Sequence, residues 1–177
     1  PGFRIFESCY LIDHCCLFLL LMEPLKITWP LSKDLLLAIL DDQVSDRFVT
    51  ELVWERLGYK QIVGEEIFCK AGSNTPQSWL KDFSDPPEII SHRRASVKLT
   101  RSIPKNFKQG LKKYLGFGGY KISELFPRRT RRATAVNWLI AWTLCRGEQL
   151  PKSGPLPDLL EIPEEPLRGH PGDPEIN

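Results

Sequence analysis

Acidic residues are almost absent from one long part of the chain, between His92 and Arg132. Glu124 is the only acid among the fourteen charged residues there, and the other thirteen are lysines and arginines. This basic stretch carries a net charge of +12, whereas the remainder of the chain carries −10. Such a block of one sign indicates an anionic partner, or a polarised protein in which one half faces the other.

Between Met22 and residue 146 the chain has only two cysteines and one histidine, which limits metal and redox chemistry. Three of the five cysteines lie in the first sixteen residues, and Cys69 and Cys145 have neither CxxC spacing nor a nearby histidine. His92 is the only histidine away from the two ends, so general acid–base catalysis lacks a positioned partner. We therefore predict no disulfide framework, metal site, cofactor or catalytic residue, and a reducing, cytoplasmic location.

Long apolar runs are missing as well. Near the N-terminus, residues 15–21 are seven consecutive apolar residues ahead of Met22, too few to cross a bilayer. This run has no clear basic segment before it and no small-residue cleavage site after it. We predict that Met22, the only methionine, is the biological start and that residues 1–21 are an upstream extension. A membrane anchor or leader is the alternative.

The C-terminal part differs in composition from the middle of the chain. Residues 147–177 contain seven prolines, four glycines and seven acids against two bases. A segment of this kind buries too little apolar surface to offset its ordering entropy. The sequence thus predicts one folded domain over residues 22–146, followed by a flexible, proline-rich acidic tail.

Apolar periodicity and turn residues predict mostly helical structure within the domain. Helices are expected over 34–40 and 46–57, capped by Ser32 and Ser45, with Gly58 ending the second. We interpret the pair as a generic helical hairpin and not a DNA reader, because the acids of the second helix would repel phosphate. Further helices are expected at residues 76–83, 104–115 and 130–145.

Two segments have strand character, residues 61–70 and residues 95–103, and the second is expected to pair with the first. The predicted fold class is α+β: a mostly helical single domain with a small antiparallel sheet and a disordered acidic C-terminal tail.

Five short segments carry a family resemblance, at residues 29–31, 52–59, 97–104, 127–133 and 137–139. Together they resemble a cyanobacterial family known only as domain of unknown function 1823, over about residues 24–145. The resemblance implies a cyanobacterial cytosolic protein, and it brings no activity or site residue with it.

The basic stretch contains two candidate anion-binding groups. Lys105, Lys108 and Lys112 form a ridge at helical spacing, which is equally compatible with phosphate binding and with a solvated helix face. Four arginines surround Thr130 at the predicted start of the last helix, where the helix dipole disfavours cations and favours anions. These arginines are Arg128, Arg129, Arg131 and Arg132. Arg94 and Arg101 would extend the surface.

An internal explanation for the four arginines stays open. Asp82, Asp85, Glu88 or the acidic tail would be their partners in that case. The aspartates at positions 34, 41, 42 and 46 match no calcium-binding loop, and we interpret them as solvated helix ends.

The favoured hypothesis is a non-enzymatic protein that associates with nucleic acid, RNA more than duplex DNA, through this basic face. Phe117, Tyr120 and Phe126 lie among the bases and are candidates for stacking on unpaired bases. One alternative is an interaction or assembly factor that docks an acidic protein surface. A third is an enzyme acting on a small phosphorylated compound. No membrane partner is expected.

Overall fold

The computed structural model describes residues 29–63 and 67–176. The predictions about Met22 and residues 1–21 lie outside the described residues. Within them the chain forms six α-helices and two strands. In chain order these are α1 (Lys33–Leu40), α2 (Asp46–Leu57), β1 (Tyr59–Val63), β2 (Ile67–Ala71), α3 (Gln77–Leu80), α4 (Arg93–Ser102), α5 (Gly110–Leu115) and α6 (Pro127–Cys145). The predicted fold class, α+β and mostly helical with a small antiparallel sheet, is confirmed.

The first two helices begin and end where the sequence predicts, to within one residue. The Ser32 hydroxyl accepts a hydrogen bond from the Leu35 amide, and the Ser45 hydroxyl accepts one from the Phe48 amide. Gly58 ends α2 at a φ of 86°, and a Cβ there would lie 2.8 Å from the backbone of Asn74. Only glycine fits both the left-handed turn and the close approach.

The sheet differs from the prediction. Residues 61–70 were expected to form one strand, but β1 and β2 pair antiparallel with each other, with Tyr59 opposite Ala71 and Val63 opposite Ile67. The strand expected over residues 95–103 is wrong, because this segment is helix α4. Ala95 and Leu99 are buried one helical turn apart while Val97 is exposed, so the apparent alternation of apolar residues belonged to a helix face.

Helix α6 is the centre of the fold. Helices α1, α2, α4 and α5 all pack against it, and Val136, Leu139 and Ile140 are fully buried. From Ala135 to Cys145, every residue of the helix except Leu144 is buried. The helix starts three residues earlier than expected, at Pro127, whose missing amide hydrogen suits the first helical position.

The region between α4 and α6 is less regular than predicted. In place of one helix over residues 104–115, a 3₁₀ turn (Lys105–Phe107) precedes the shorter helix α5. Lys108 donates a hydrogen bond from its ammonium group to the Thr100 carbonyl, 2.6 Å away. This bond ties the turn back onto the end of α4.

Residues 147–176, the tail, contain no helix or strand, in keeping with their composition. They are nevertheless held against the domain, which departs from the expectation of a free, disordered segment. The amides of Lys33 and Asp34 donate to the carbonyls of Pro151 and Lys152, and the Leu160 amide donates to the Gln43 carbonyl. Polar backbone contacts fix this segment, and composition alone does not reveal them.

Tyr59 should make the protein sensitive to alkali. Its hydroxyl donates to the Phe83 carbonyl, and burial, together with the charge of Asp85, raises the pKa of Tyr59 to about 12. Because the folded state holds this proton more tightly, the contribution is complete below a pH of about 10 and is lost as the pH rises to about 12.

Tyr59→Phe should therefore cost about 1 kcal/mol at neutral pH through the lost hydrogen bond. Its free energy of unfolding should then fall less steeply than that of the wild type above a pH of about 10. Urea unfolding at neutral and alkaline pH measures both effects. Parallel alkaline losses in the two proteins would contradict this role for Tyr59.

Candidate nucleic-acid interface

Two of the four candidate arginines are buried in a cluster of charges. The Arg128 guanidinium donates two hydrogen bonds, of 2.6 and 2.7 Å, to the Asp42 carboxylate and a third, of 2.6 Å, to Asp46. Arg132 donates to the other oxygen of Asp46. All four side chains are at most 2% exposed. We call Asp42, Asp46, Arg128 and Arg132 the buried ion cluster.

Arg132 also satisfies the turn that joins α1 to α2. It donates to the carbonyl of Ile39 through both Nε and Nη2, and to the carbonyl of Val44 through Nη2. Carbonyls at the end of a helix have no partner within the helix. The first turns of α6 are therefore hydrogen-bonded to the turn between α1 and α2, and this contact fixes the helical hairpin against α6.

Electrostatics keep the Arg128 guanidinium protonated. Burial by itself lowers the pKa of Arg128, but the hydrogen bonds and charges of Asp42 and Asp46 outweigh it and raise that pKa above its ordinary value. A buried pair with good geometry compensates its own desolvation, and loss of one partner leaves an uncompensated charge. Arg128 and Arg132 consequently have no surface to offer to an external phosphate, in contrast to the prediction.

Arg129 and Arg131, the other two arginines of this group, are half-buried and engaged. The Arg129 guanidinium lies 5.8 Å from the ring centres of Tyr120 and Phe126, and its Nε is 4.0 Å from Asp42. Arg131 donates to the carbonyls of Ile90 and Ser91, just before α4, and desolvation lowers the pKa of Arg131. The four arginines thus stabilise the fold at the start of α6.

The cations of α4 divide into paired and unpaired groups. Arg94 and Lys98 both donate hydrogen bonds to Asp82. The pKa of Asp82 is lowered, mainly by the hydrogen bond from Lys98 and further by the positive charges of Lys98 and Arg94. Arg93 and Arg101 are exposed on the same helix and form no ion pair within the described residues. Of the internal partners considered from sequence, Asp82 pairs with cations of α4 and not with the four arginines. The acidic tail does supply a partner, because Oδ2 of Asp173 lies 3.6 Å from Nη2 of Arg128.

The predicted lysine ridge lies in solvent. Lys105, Lys108 and Lys112 are all exposed, and Lys113 beside them is exposed as well. None of these four forms an ion pair with an acid of the described residues, and Lys108 bonds only a backbone carbonyl. We call Arg93, Arg101, Lys105, Lys108, Lys112 and Lys113 the basic surface.

Asn137 of α6 positions the lysine-bearing segment. Its Oδ1 accepts a hydrogen bond from the Leu111 amide, and its Nδ2 donates to the Lys108 carbonyl. A Cβ on Gly110 would lie 2.5 Å from the same Oδ1, so this glycine permits the close approach of α5 to α6.

Replacing Asn137 by alanine should loosen this part of the basic surface. The change leaves the Leu111 amide without its partner, and we expect a loss of about 2 kcal/mol in the free energy of unfolding. Hydrogen exchange should show faster exchange of the amides of α5. Thr134→Ala, on the same helix, should change stability by less than about 0.5 kcal/mol. Equal exchange rates of the α5 amides in the two variants would show that Asn137 does not hold α5 in place.

The three candidate stacking aromatics are occupied within the fold. Phe117 and Tyr120 contact each other edge to face with ring centres 5.0 Å apart, and Phe126 and Tyr120 both lie against Arg129. The Tyr120 hydroxyl donates to the Leu40 carbonyl, and burial raises the pKa of Tyr120 to about 12. These rings therefore support the turn before α6.

Sequence reasoning missed the acids that matter most. Asp42 and Asp46, interpreted as solvated helix ends, are the partners of the arginines. Asp42 has a φ of 63°, in the left-handed region that aspartate tolerates better than most residues. The available signal was the pairing of two unexplained groups of opposite sign, at the α1–α2 turn and at the start of α6.

The described part of the chain contains no group of three histidine, cysteine, aspartate or glutamate side chains placed to hold a metal ion. Among its helices, none has the length and apolar character needed to cross a membrane.

Comparisons with known proteins place the chain in a family. A solution NMR structure of a protein 46% identical in sequence matches with a TM-score of 0.57, over 65% of this chain and 94% of that one. No curated protein is significantly similar. The model of the family described as "Domain of unknown function (DUF1823)" matches residues 30–144, which include both halves of the buried ion cluster. The chain therefore belongs to the DUF1823 family.

Proposed function

We propose that this protein associates with nucleic acid through the basic surface, without catalysing a reaction, and that it prefers single-stranded RNA to duplex DNA. The observation that carries the proposal is the set of exposed cations on α4, the 3₁₀ turn and α5 that have no acidic partner among the described residues. A group of cations without acidic partners attracts a polyanion, and phosphate contacts supply most of the affinity of non-specific binding to nucleic acid.

The proposed preference for RNA rests on which charged side chains the helices expose. Helix α2, the second helix of the hairpin, exposes Arg47 but also carries Glu51 and Glu55, whose charge would oppose insertion into a DNA groove. The cations lie instead on short elements joined by turns, a surface that suits the irregular backbone of a single strand. With the candidate aromatics occupied in the fold, we expect binding through phosphates with little sequence preference.

The first test is whether the purified protein carries nucleic acid. We expect an ultraviolet absorbance ratio that falls to the protein value after ribonuclease treatment and much less after deoxyribonuclease treatment. Fluorescence anisotropy with single-stranded RNA and duplex DNA, each of about twelve nucleotides or base pairs, should then show tighter binding to the RNA. Absence of binding to either at low salt would refute the proposal.

A second candidate is docking of an acidic protein surface. It is favoured by Ile122 and Leu125, which are 92% and 52% exposed next to the exposed Lys121. Large apolar side chains that are exposed close together in sequence are a feature of protein contact sites. An acidic polypeptide that competes with RNA for the protein, and binds more tightly than RNA at equal charge, would favour this function over the first.

A cytoplasmic location and a cyanobacterial origin complete the proposal. The cytoplasmic location rests on cysteines that lack disulfide or metal-binding spacing and on the family resemblance of the sequence. The cyanobacterial origin rests on the resemblance alone, and neither is needed for the argument from charge.

A further inference from the structure

Residues 169–173, near the end of the tail, form a loop that places a carboxylate within the domain. Asp173 Oδ1 accepts hydrogen bonds from the amides of Asp46 and Arg47, at 2.8 and 3.3 Å, at the N-terminus of α2. Asp173 Oδ2 lies 3.6 Å from Nη2 of Arg128 and accepts a hydrogen bond from the His170 amide. The Asp173 carboxylate is completely buried by these contacts.

The domain side of this contact has the features of a carboxylate site. Amides at a helix N-terminus and an arginine guanidinium are both groups that bind anions, and here they converge on one carboxylate. Arg128 is itself fully buried and bonded to Asp42 and Asp46, so its guanidinium is held in a fixed position beside the helix terminus. The site lies on α2 and α6, within the region that the family model matches.

The shape of the loop adds a second requirement. Gly169 has a φ of 78°, and a Cβ there would lie 2.7 Å from Arg128 Nε and 2.7 Å from Asp173 Oδ2. Gly172, with a φ of 86°, also adopts the left-handed conformation. The loop can thus approach Arg128 only with glycine at the first position, which defines the ligand as a glycine-containing acidic turn.

We propose that this part of the domain is a recognition site for an acidic peptide turn, and that residues 169–173 occupy it as an intramolecular ligand. The ligand lies outside the region that the family model matches, which ends at residue 144. The site and its occupant are therefore separable parts of the molecule, and a domain whose own tail is displaced binds the same turn in trans.

The contact has the balance expected of a reversible interaction. Favourable charge-assisted hydrogen bonds to Asp173 are opposed by the burial of His170, whose Nε2 has no hydrogen-bond partner within the described residues. A buried polar atom without a partner destabilises the state that buries it. The covalent link supplies a high effective concentration, so modest affinity is enough to keep the site filled.

The test uses the full chain carrying Gly169→Ala together with Asp173→Ala, both in the tail, and a synthetic peptide of residues 166–176. NMR follows the amides of Asp46 and Arg47. In the double variant these resonances should shift, and the peptide at millimolar concentration should return them toward their wild-type positions. A second peptide that carries Asp173→Asn should bind about tenfold more weakly, since it loses one charge-assisted interaction.

Two controls define the result. The wild-type chain should not respond to the peptide, because its site is already occupied, and Glu175→Ala, an exposed change in the tail, should behave like the wild type. Equal binding of the native and the substituted peptide would overturn the proposal, and so would no binding by the double variant. Unfolding of the double variant would also overturn it, by showing the tail to be an inseparable part of the fold.

Discussion

Asp42→Asn should lower the free energy of unfolding by about 3 kcal/mol, the size expected when one partner of a buried charge pair is removed. Asparagine keeps the size of the side chain and tolerates the left-handed backbone at this position. It removes the negative charge that Arg128 grips with two hydrogen bonds. Chemical denaturation at neutral pH, with an unchanged dependence on denaturant, measures the effect.

Asp41→Asn is the matched control. Asp41 is the immediate neighbour of Asp42 on the same turn, yet its side chain is exposed and forms no ion pair within the described residues. Its replacement should change stability by less than about 0.5 kcal/mol. Similar effects of the two substitutions would mean that the buried ion cluster does not contribute through its charges.

Reversing three charges of the basic surface should reduce RNA affinity by about 100-fold while the protein stays folded. The variant carries Arg101→Glu, Lys105→Glu and Lys112→Glu, all at exposed positions without acidic partners among the described residues. Three lost phosphate contacts at about 1 kcal/mol each account for the change. Anisotropy titration with single-stranded RNA measures affinity, and circular dichroism verifies folding.

The control for this variant changes the net charge equally. Lys60, Lys81 and Lys152 are exposed lysines outside the basic surface, and their replacement by glutamate should reduce affinity much less. If both triple variants lose affinity to the same extent, only the overall charge matters, and the proposed location of binding is wrong.

Local features explain why the helices and their caps were predictable. Ser32, Ser45 and Gly58 act within one turn of their own helix, so nearby residues suffice to place the ends of α1 and α2. Helix α6 was predictable for a similar reason, because its own residues are apolar on every side, which is typical of a buried helix.

Helix α4 shows where local pattern fails. Val97, Leu99 and Arg101 alternate with polar residues as in a strand, and the β-branched residues favour that interpretation. The buried residues, however, are Ala95, Ser96 and Leu99, and their spacing fits one face of a helix packed on α6. Contacts with a helix far along the chain decide the structure, and a short window of sequence does not contain them.

The arginines at the start of α6 show the limit for the site. Their charge opposes the helix dipole, so an anion was expected there, but charge does not distinguish an external phosphate from a carboxylate of the same chain. The partners are Asp42 and Asp46, more than eighty residues earlier in the chain. Only the fold brings these arginines and aspartates together. Burial then distinguishes the arginines that stabilise the fold from the exposed cations that are free to bind a partner.

The salt dependence of RNA binding tests the central claim most directly. For the wild type, the logarithm of the association constant should fall linearly with the logarithm of salt concentration, by about 0.7 for each phosphate contact with a single strand. The variant Lys105→Gln with Lys112→Gln should remain folded and give a slope shallower by about 1.4, because two contacts are lost. Wild-type binding that does not depend on salt, or equal slopes for the two proteins, would contradict phosphate binding by the basic surface.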